Sequence, residues 1–270
     1  MALTSFQRDV CRLLADNRIR SGESYVAGAA ALNELLHAPR RSRDIDLFHD
    51  TERALAAPWA ADRDSLAKAG YELSIIRERP TFVEAQIRRG DGTVVIQWAH
   101  DSAYRFFPLV KHDELGLALH PFDLATSKVL ALVGRVEPRD FVDTLTCDLE
   151  VQPLGYLAWA ACGKDPGFSP TAILELAARS TRYSNVELRG LDFDGEAPDA
   201  AMLGQQWRTA LGTARELVEL LPAEEAGRAV LTKKGVPYQG KPTALPGALA
   251  SNELVFHEGR IGGAFPSIVG

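Results

Sequence analysis

Cysteine is scarce in this 270-residue chain: Cys11, Cys147 and Cys162 are odd in number and far apart. They exclude a disulfide framework and a zinc-type cysteine spacing. Their apolar, helical surroundings predict buried free thiols. The six histidines are scattered, and none pairs with a cysteine or another histidine at zinc-ligand spacing. Long apolar runs are missing, so no membrane-spanning helix is expected. The opening Met1-Ala2-Leu3-Thr4-Ser5-Phe6-Gln7-Arg8 lacks the basic-then-apolar order of a secretory signal, and a cytoplasmic location is expected. Positive charge is not in excess: 30 Lys and Arg stand against 36 Asp and Glu, a net charge of −6. That balance argues against broad electrostatic capture of nucleic acid but leaves room for a local patch. No internal repeat, coiled coil or low-complexity tract is present.

What is there is ordinary for a globular protein, with 46% hydrophobic and 24% charged residues. The length suits one large domain or two small ones. Phe6, Val10, Leu13 and Leu14 recur at helical spacing and predict a helix over 4–19, capped by Thr4 or Ser5 and ended by Ser21-Gly22. A short strand follows at 24–27, then Gly28, then an alanine-rich helix over 29–36. A helix is expected over much of 51–69, with a break near Pro58 and a cap at Gly70. The period then changes to two. Strands are predicted at 71–77, 82–88 and 93–98, the last two joined by Gly90-Asp91-Gly92. Residues 100–120 read as irregular with a short strand at 106–110. After Pro121 the chain reads as helical, with helices at 154–162, 170–180, 199–221 and 223–232. Trp159 and Trp207 are expected between helices. A glycine- and proline-rich tail from Gly235 reads as a wrapping or partly mobile segment.

The chemistry centres on Arg41-Ser42-Arg43-Asp44-Ile45-Asp46-Leu47-Phe48. Side chains alternate along a strand, so Asp44 and Asp46 share one face and Ile45 and Leu47 the other. Paired carboxylates are stable with cations between them or water over them. Mg²⁺ favours oxygen donors, one or two carboxylates and substrate phosphates. Two such ions can support displacement at phosphorus. The plain alternative is a solvated strand end. Gly28, sixteen residues earlier, adds specificity. A glycine between strand and helix lets backbone approach a phosphate, and the helix N-terminus offers free N–H groups. Arg40, Arg41 and Arg43 beside the aspartates, with Arg77, Arg79, Arg88 and Arg89 nearby, suit polyphosphate, RNA or both. Each alone is equally a solvated surface charge.

Together with Gly28-Ala29-Ala30-Ala31-Leu32, Asp123-Leu124-Ala125-Thr126-Ser127-Lys128, Arg139-Asp140-Phe141-Val142-Asp143 and the stretch 158–168, these residues resemble the AbiEii/AbiGii-type toxins of the nucleotidyltransferase fold. The likeness covers most of residues 20–180. It implies an α/β (α+β) chain: a small mixed-sheet nucleotidyltransferase core flanked by helices over 1–120, then a mainly helical region with an irregular tail over 121–270. It implies transfer of a nucleotide from a nucleoside triphosphate to RNA, with tRNA as acceptor, Mg²⁺ or Mn²⁺ as cofactor and a cognate antitoxin as partner.

By the same resemblance Asp44 and Asp46 hold metal. The backbone at Gly28, Ala29 and Ala30, with Ser42 and Lys128, holds the triphosphate. Asp140 assists acceptor attack or orients Lys128, with Asp143 as second choice. Ser42 is alternatively a site of modification by an antitoxin kinase. Lys128 falls off the apolar stripe of Phe122, Ala125, Val129 and Leu132, which alone reads as a solvated lysine. Asp140 also suits a helix first turn, and Asp143 can pair with Arg139 at i, i+4. Two departures stand out. Ala29 and Ala30 replace the usual hydroxyl after the glycine, and Gln97 stands where the fold often supplies a third carboxylate. Nucleotidylation of an aminoglycoside-like small molecule or of a protein, or a degenerate nucleotide-binding module, are the competing functions.

Overall fold

The computed structural model describes residues 3–179 and 182–267, leaving aside the side chains of 52–54. The start of the N-terminal segment (Met1, Ala2) and the predicted end of the 170–180 helix (Ser180) lie outside the described residues. The chain divides into two compact units. The first comprises residues 1–103, 109–120 and 192–195; the second comprises 104–108, 121–191 and 196–270.

The first unit opens with α1 (Ser5–Ser21). Thr4 accepts from Gln7 N–H and Gln7 reaches back to Thr4 N–H, a capping box, and Gly22 ends the helix with φ +68°. Then come β1 (Ser24–Ala27), α2 (Gly28–Leu35) and β2 (Asp44–His49). The next helix, α3 (Glu52–Lys68), runs through Pro58 rather than breaking there. Proline removes one backbone bond, and this helix tolerates the loss. Strands β3 (Glu72–Arg79), β4 (Phe82–Arg89) and β5 (Gly92–His100) follow. Arg89 pairs with Gly92, so the hairpin turn is Gly90-Asp91, one residue shorter than the sequence suggested. The expected strand at 106–110 is replaced by β6 (Tyr104–Arg105), which belongs to the second unit, and β7 (Val110–His112). A strand with no sequence signal, β8 (Gly116–Ala118), closes the series.

Seven strands form one mixed sheet in the order β3-β4-β5-β2-β1-β8-β7. β2 lies parallel to β5 and antiparallel to β1, and β1 lies parallel to β8. Ile45 and Leu47, Val83, Ala85 and Ile87, and Val94, Ile96 and Trp98 are all buried and share one face, as the period-two pattern requires. Each fully buried Val, Leu or Ile side chain there contributes roughly 1.5–3 kcal/mol. Buried Asp62 of α3 accepts from Trp98 Nε1 at 2.9 Å and Asn17 Nδ2 at 2.8 Å. Burial pushes its carboxyl up from the ordinary value.

The second unit is built on α4 (Pro121–Arg135), α5 (Pro138–Glu150), α6 (Leu154–Ala161), α7 (Pro170–Ala177), α8 (Asn185–Arg189) and α9 (Ala200–Leu220). The expected helix at 223–232 is instead a 3₁₀ turn at Ala223–Glu225 followed by β9 (Ala229–Thr232). The tail wraps: after α10 (Leu245–Ala250), β10 (Leu254–His257) pairs with β9, and β11 (Arg260–Ile261) pairs with β6. Tyr156, Trp159, Leu217, Leu221, Val230 and Leu245 form a core cluster, and Trp207 packs edge-on against Phe141 at 5.3 Å.

All three cysteines are free and buried. Burial pushes the Cys11 thiol up to about 11, so thiolate chemistry is unfavourable there. Among the described residues no helix is long and apolar enough to cross a membrane.

Candidate active site

In the first unit the face of the sheet opposite the apolar one carries the polar side chains. Burial alternates along β2 so that Asp44, Asp46 and Phe48 are half-buried while Ile45, Leu47 and His49 are buried. The two aspartates therefore share a face, as expected from the sequence. Ser42 is buried and donates from Oγ to Asp44 Oδ1 at 2.8 Å. Its hydroxyl is thus already engaged with a candidate metal-holding carboxylate.

Gly28 heads α2 with φ +62°, a conformation that favours glycine. A Cβ built there would lie 1.8 Å from Asp46 Oδ2 and 2.8 Å from its Cγ. The Asp46 carboxylate thus occupies space that any other residue at 28 would fill. The residue before the helix is Ala27, whose methyl side chain makes no cap hydrogen bond to α2. The start of α2 and the Asp-x-Asp pair meet at Gly28, because Ala27 lies opposite Asp46 in the β1/β2 register.

Register extends this row. Asp46 pairs with Gln97 of β5, and Gln97 pairs with Glu84 of β4. Gln97 Nε2 donates to Glu84 Oε1 at 3.0 Å. Gln97 thus stands beside Asp46 on the neighbouring strand, with Glu84, which no sequence motif marks, beyond it. The hairpin signal could have found Glu84, since a two-residue turn at Gly90-Asp91 sets it opposite Gln97. Arg77 pairs with Glu84 in register, and its guanidinium lies 5.7 Å from the centre of the Phe82 ring.

The arginines before the aspartates are less available than their sequence suggests. Arg40 is buried and donates to Arg41 O at 3.0 Å. Arg41 donates to Asp194 Oδ1 at 2.6 Å. Arg43 is exposed.

The remaining candidates lie in the second unit. Lys128 is buried, not solvated. Its Nζ lies 2.9 Å from Asp143 Oδ2 and 3.3 Å from Asp140 Oδ1. Arg135 also grips Asp140, through Nε to Oδ2 at 2.5 Å and a second bond to Oδ1 at 2.9 Å. Burial alone would raise the Asp140 carboxyl, but Arg135 and Lys128 outweigh it and hold it below its ordinary range. Asp140 is therefore in contact with Lys128. Arg139 pairs with Glu137 at 2.9 Å, and Asp143 holds the lysine. Asp123 is also buried, where it accepts from the N–H groups of Phe106 and Phe107 and pairs with Lys164 at 3.0 Å.

The residues suit a divalent ion shared with a substrate. Asp44, Asp46 and Gln97 bring oxygen-bearing side chains to one face, and Gly28, lacking a Cβ, gives the Asp46 carboxylate its place. Among the described residues, no group of three or more His, Cys, Asp and Glu side chains is arranged to hold a metal by itself. Two carboxylates with phosphates completing the shell are the usual way Mg²⁺ is bound.

The mixed seven-stranded sheet with its flanking helices matches a nucleotidyltransferase-like fold. The chain is similar in structure to JHP933 from Helicobacter pylori, with TM-score 0.54 and 12% identity over 78% of this chain and 91% of that one. A candidate nucleotidyltransferase from H. pylori gives TM-score 0.52 and 12% identity over 79% and 95%. MenT4, a nucleotidyltransferase toxin from Mycobacterium tuberculosis, gives TM-score 0.50 and 12% identity over 80% and 86%. No protein-family model and no curated protein matches the sequence.

Proposed function

We propose that this protein is a nucleotidyltransferase of toxin type, related to the AbiEii/AbiGii toxins, that uses Mg²⁺ or Mn²⁺ to transfer a nucleotide from a nucleoside triphosphate to RNA. Its acceptor is tRNA, its place of action the cytoplasm, and a cognate antitoxin is its partner. The observation that carries this reading is the Asp46 carboxylate seated against Cβ-free Gly28, with Asp44 on the same face and the start of α2 beside it.

The acceptor oxygen forms a bond to the α-phosphorus as the bond to the pyrophosphate oxygen breaks, and the acceptor hydroxyl's proton passes to solvent water. The divalent ion, when bound, neutralises phosphate charge and makes the acceptor hydroxyl more acidic. The chain's own residues position. Asp44 and Asp46 supply the anionic floor, with Ser42 fixing Asp44 by its hydrogen bond. The backbone of Gly28, Ala29 and Ala30 offers N–H groups to phosphate oxygens without needing a side-chain hydroxyl. In the helical unit Lys128 is assigned as a cation for the triphosphate, with Asp140 holding its ammonium. Catalysis by placement and charge neutralisation is the usual economy of this chemistry. RNA is favoured over a small cationic acceptor by the exposed Arg43 and by Arg77 lying over the Phe82 ring, since arginine and aromatic rings together suit nucleic acid.

The test is label transfer from each α-³²P nucleoside triphosphate into total RNA, with Mg²⁺ or Mn²⁺. Metal-dependent labelling of a tRNA-sized band, lost in Asp44→Ala and in Lys128→Ala, is expected. Label entering only small molecules or protein would overturn the RNA acceptor. Triphosphate binding with no labelled product would overturn the enzyme.

A further inference from the structure

The row of side chains through Asp46 does not end at Gln97. Glu84 stands opposite Gln97 across the β4/β5 pair, and the Gln97 amide nitrogen donates to it at 3.0 Å. An ionised carboxylate only accepts hydrogen bonds, so Glu84 decides which end of the amide is nitrogen. The amide oxygen is left as the end available to a ligand on the face shared with Asp44 and Asp46. Neutral carbonyl oxygens are hard donors compatible with divalent ions beside carboxylates. The amide also separates two acids. A carboxylate at 97 would lie between Asp46 and Glu84 on neighbouring strands, and like charges directly opposite each other are destabilising.

Resting on the nucleotidyltransferase reading, we propose that Glu84 is a positioning residue. It locks the Gln97 amide so that Gln97 completes, with Asp44 and Asp46, a three-residue oxygen set for the divalent ion. Glu84 acts through Gln97 rather than touching the ion. Partners of metal ligands in this role commonly tune affinity by ten- to a hundredfold. Glu84→Gln removes the compulsion, because a glutamine side chain can donate as well as accept and the Gln97 amide is then free to turn over.

The experiment is Mn²⁺ titration by electron paramagnetic resonance, with the α,β-methylene analogues of the four nucleoside triphosphates present. Wild type, Glu84→Gln, Gln97→Ala and the double variant are compared, with Asp44→Ala as the blank. Glu84→Gln is expected to weaken Mn²⁺ binding roughly tenfold. The double variant is expected to bind no more weakly than Gln97→Ala alone. Urea midpoints are measured in parallel, because a merely structural role would lower the midpoint and leave Mn²⁺ affinity unchanged. Wild-type affinity in Glu84→Gln, or a further loss on adding it to Gln97→Ala, overturns the proposal while the parent reading stands. A wild-type protein that binds no Mn²⁺ with any analogue overturns both.

Discussion

Replacing Gly28 by alanine perturbs the site through a single carbon, and Gly22 supplies the matched control. Both glycines have positive φ, +62° and +68°. A Cβ at Gly22 meets nothing within 4 Å, whereas one at Gly28 lies 1.8 Å from Asp46 Oδ2. Gly22→Ala therefore incurs only the left-handed backbone cost, about 1–2 kcal/mol. Gly28→Ala incurs the same cost and must also drive Asp46 from its rotamer, which adds about 0.5–1.5 kcal/mol. Urea unfolding should rank the proteins as wild type, Gly22→Ala, Gly28→Ala, in falling stability. The functional separation should be wider than the thermodynamic one. Gly22→Ala should retain wild-type Mn²⁺–nucleotide binding. Gly28→Ala should lose roughly tenfold or more, because the displaced carboxylate is the proposed ligand itself rather than a partner of one. Equal urea midpoints for the two variants, with Mn²⁺ affinity intact in both, would refute the reasoning.

Two further perturbations probe buried charge. Burial lowers the His49 pKa to about 4, with the nearby Arg18 acting in the same direction and the Ala99 carbonyl and Asp50 opposing. Between that value and the ordinary 6.5 the unfolded chain binds a proton that the folded chain does not. Stability present above pH 6.5 is therefore lost as pH falls towards 4, by about 3 kcal/mol in full. Urea midpoints for wild type and His49→Leu should converge in slope above pH 7 and diverge below it. Parallel profiles throughout would remove His49 from the explanation. Lys128→Met strips a buried ammonium from Asp140 and Asp143. Leaving such carboxylates short of their cation should cost about 3–5 kcal/mol, and adding Asp143→Asn should recover part of it. A loss under about 1 kcal/mol would place the cluster in the weak, solvent-screened class.

Periodicity made much of the first unit legible. The strand–glycine–helix–strand order, the shared face of Asp44 and Asp46 and the three strands of 71–98 follow from local rules that the tertiary structure obeys. Failures occurred where distant contacts decide. Gly116–Ala118 is too short to show alternation and becomes a strand because β1 and β7 pair with it. Residues 229–232 read as helix, yet pairing with β10 makes them extended. Lys128 read as solvated because it lies off its helix's apolar stripe, but the neighbouring helix α5 covers it with two carboxylates. Glu84 was passed over because an isolated glutamate in an alternating strand carries no signal until the hairpin register is fixed.

Chain order gives the loop before Asp44 a temporal dimension. Arg41 N–H donates to Asp192 O at 2.8 Å, Asp194 N–H donates to Pro39 O at 2.7 Å, and Arg40 bridges to Phe193. These partners are synthesised long after the sheet they brace, with the helices α4 to α8 emerging in between. Domains fold as units during synthesis, earlier ones first. Here the early unit waits for a late peptide: Gln7 Nε2 already holds Ser42 O at 2.8 Å, but the bonds to residues 39–41 form only when residues 192–195 have left the ribosome. A nascent chain halted before that point carries both aspartates but lacks the brace on the segment that delivers them.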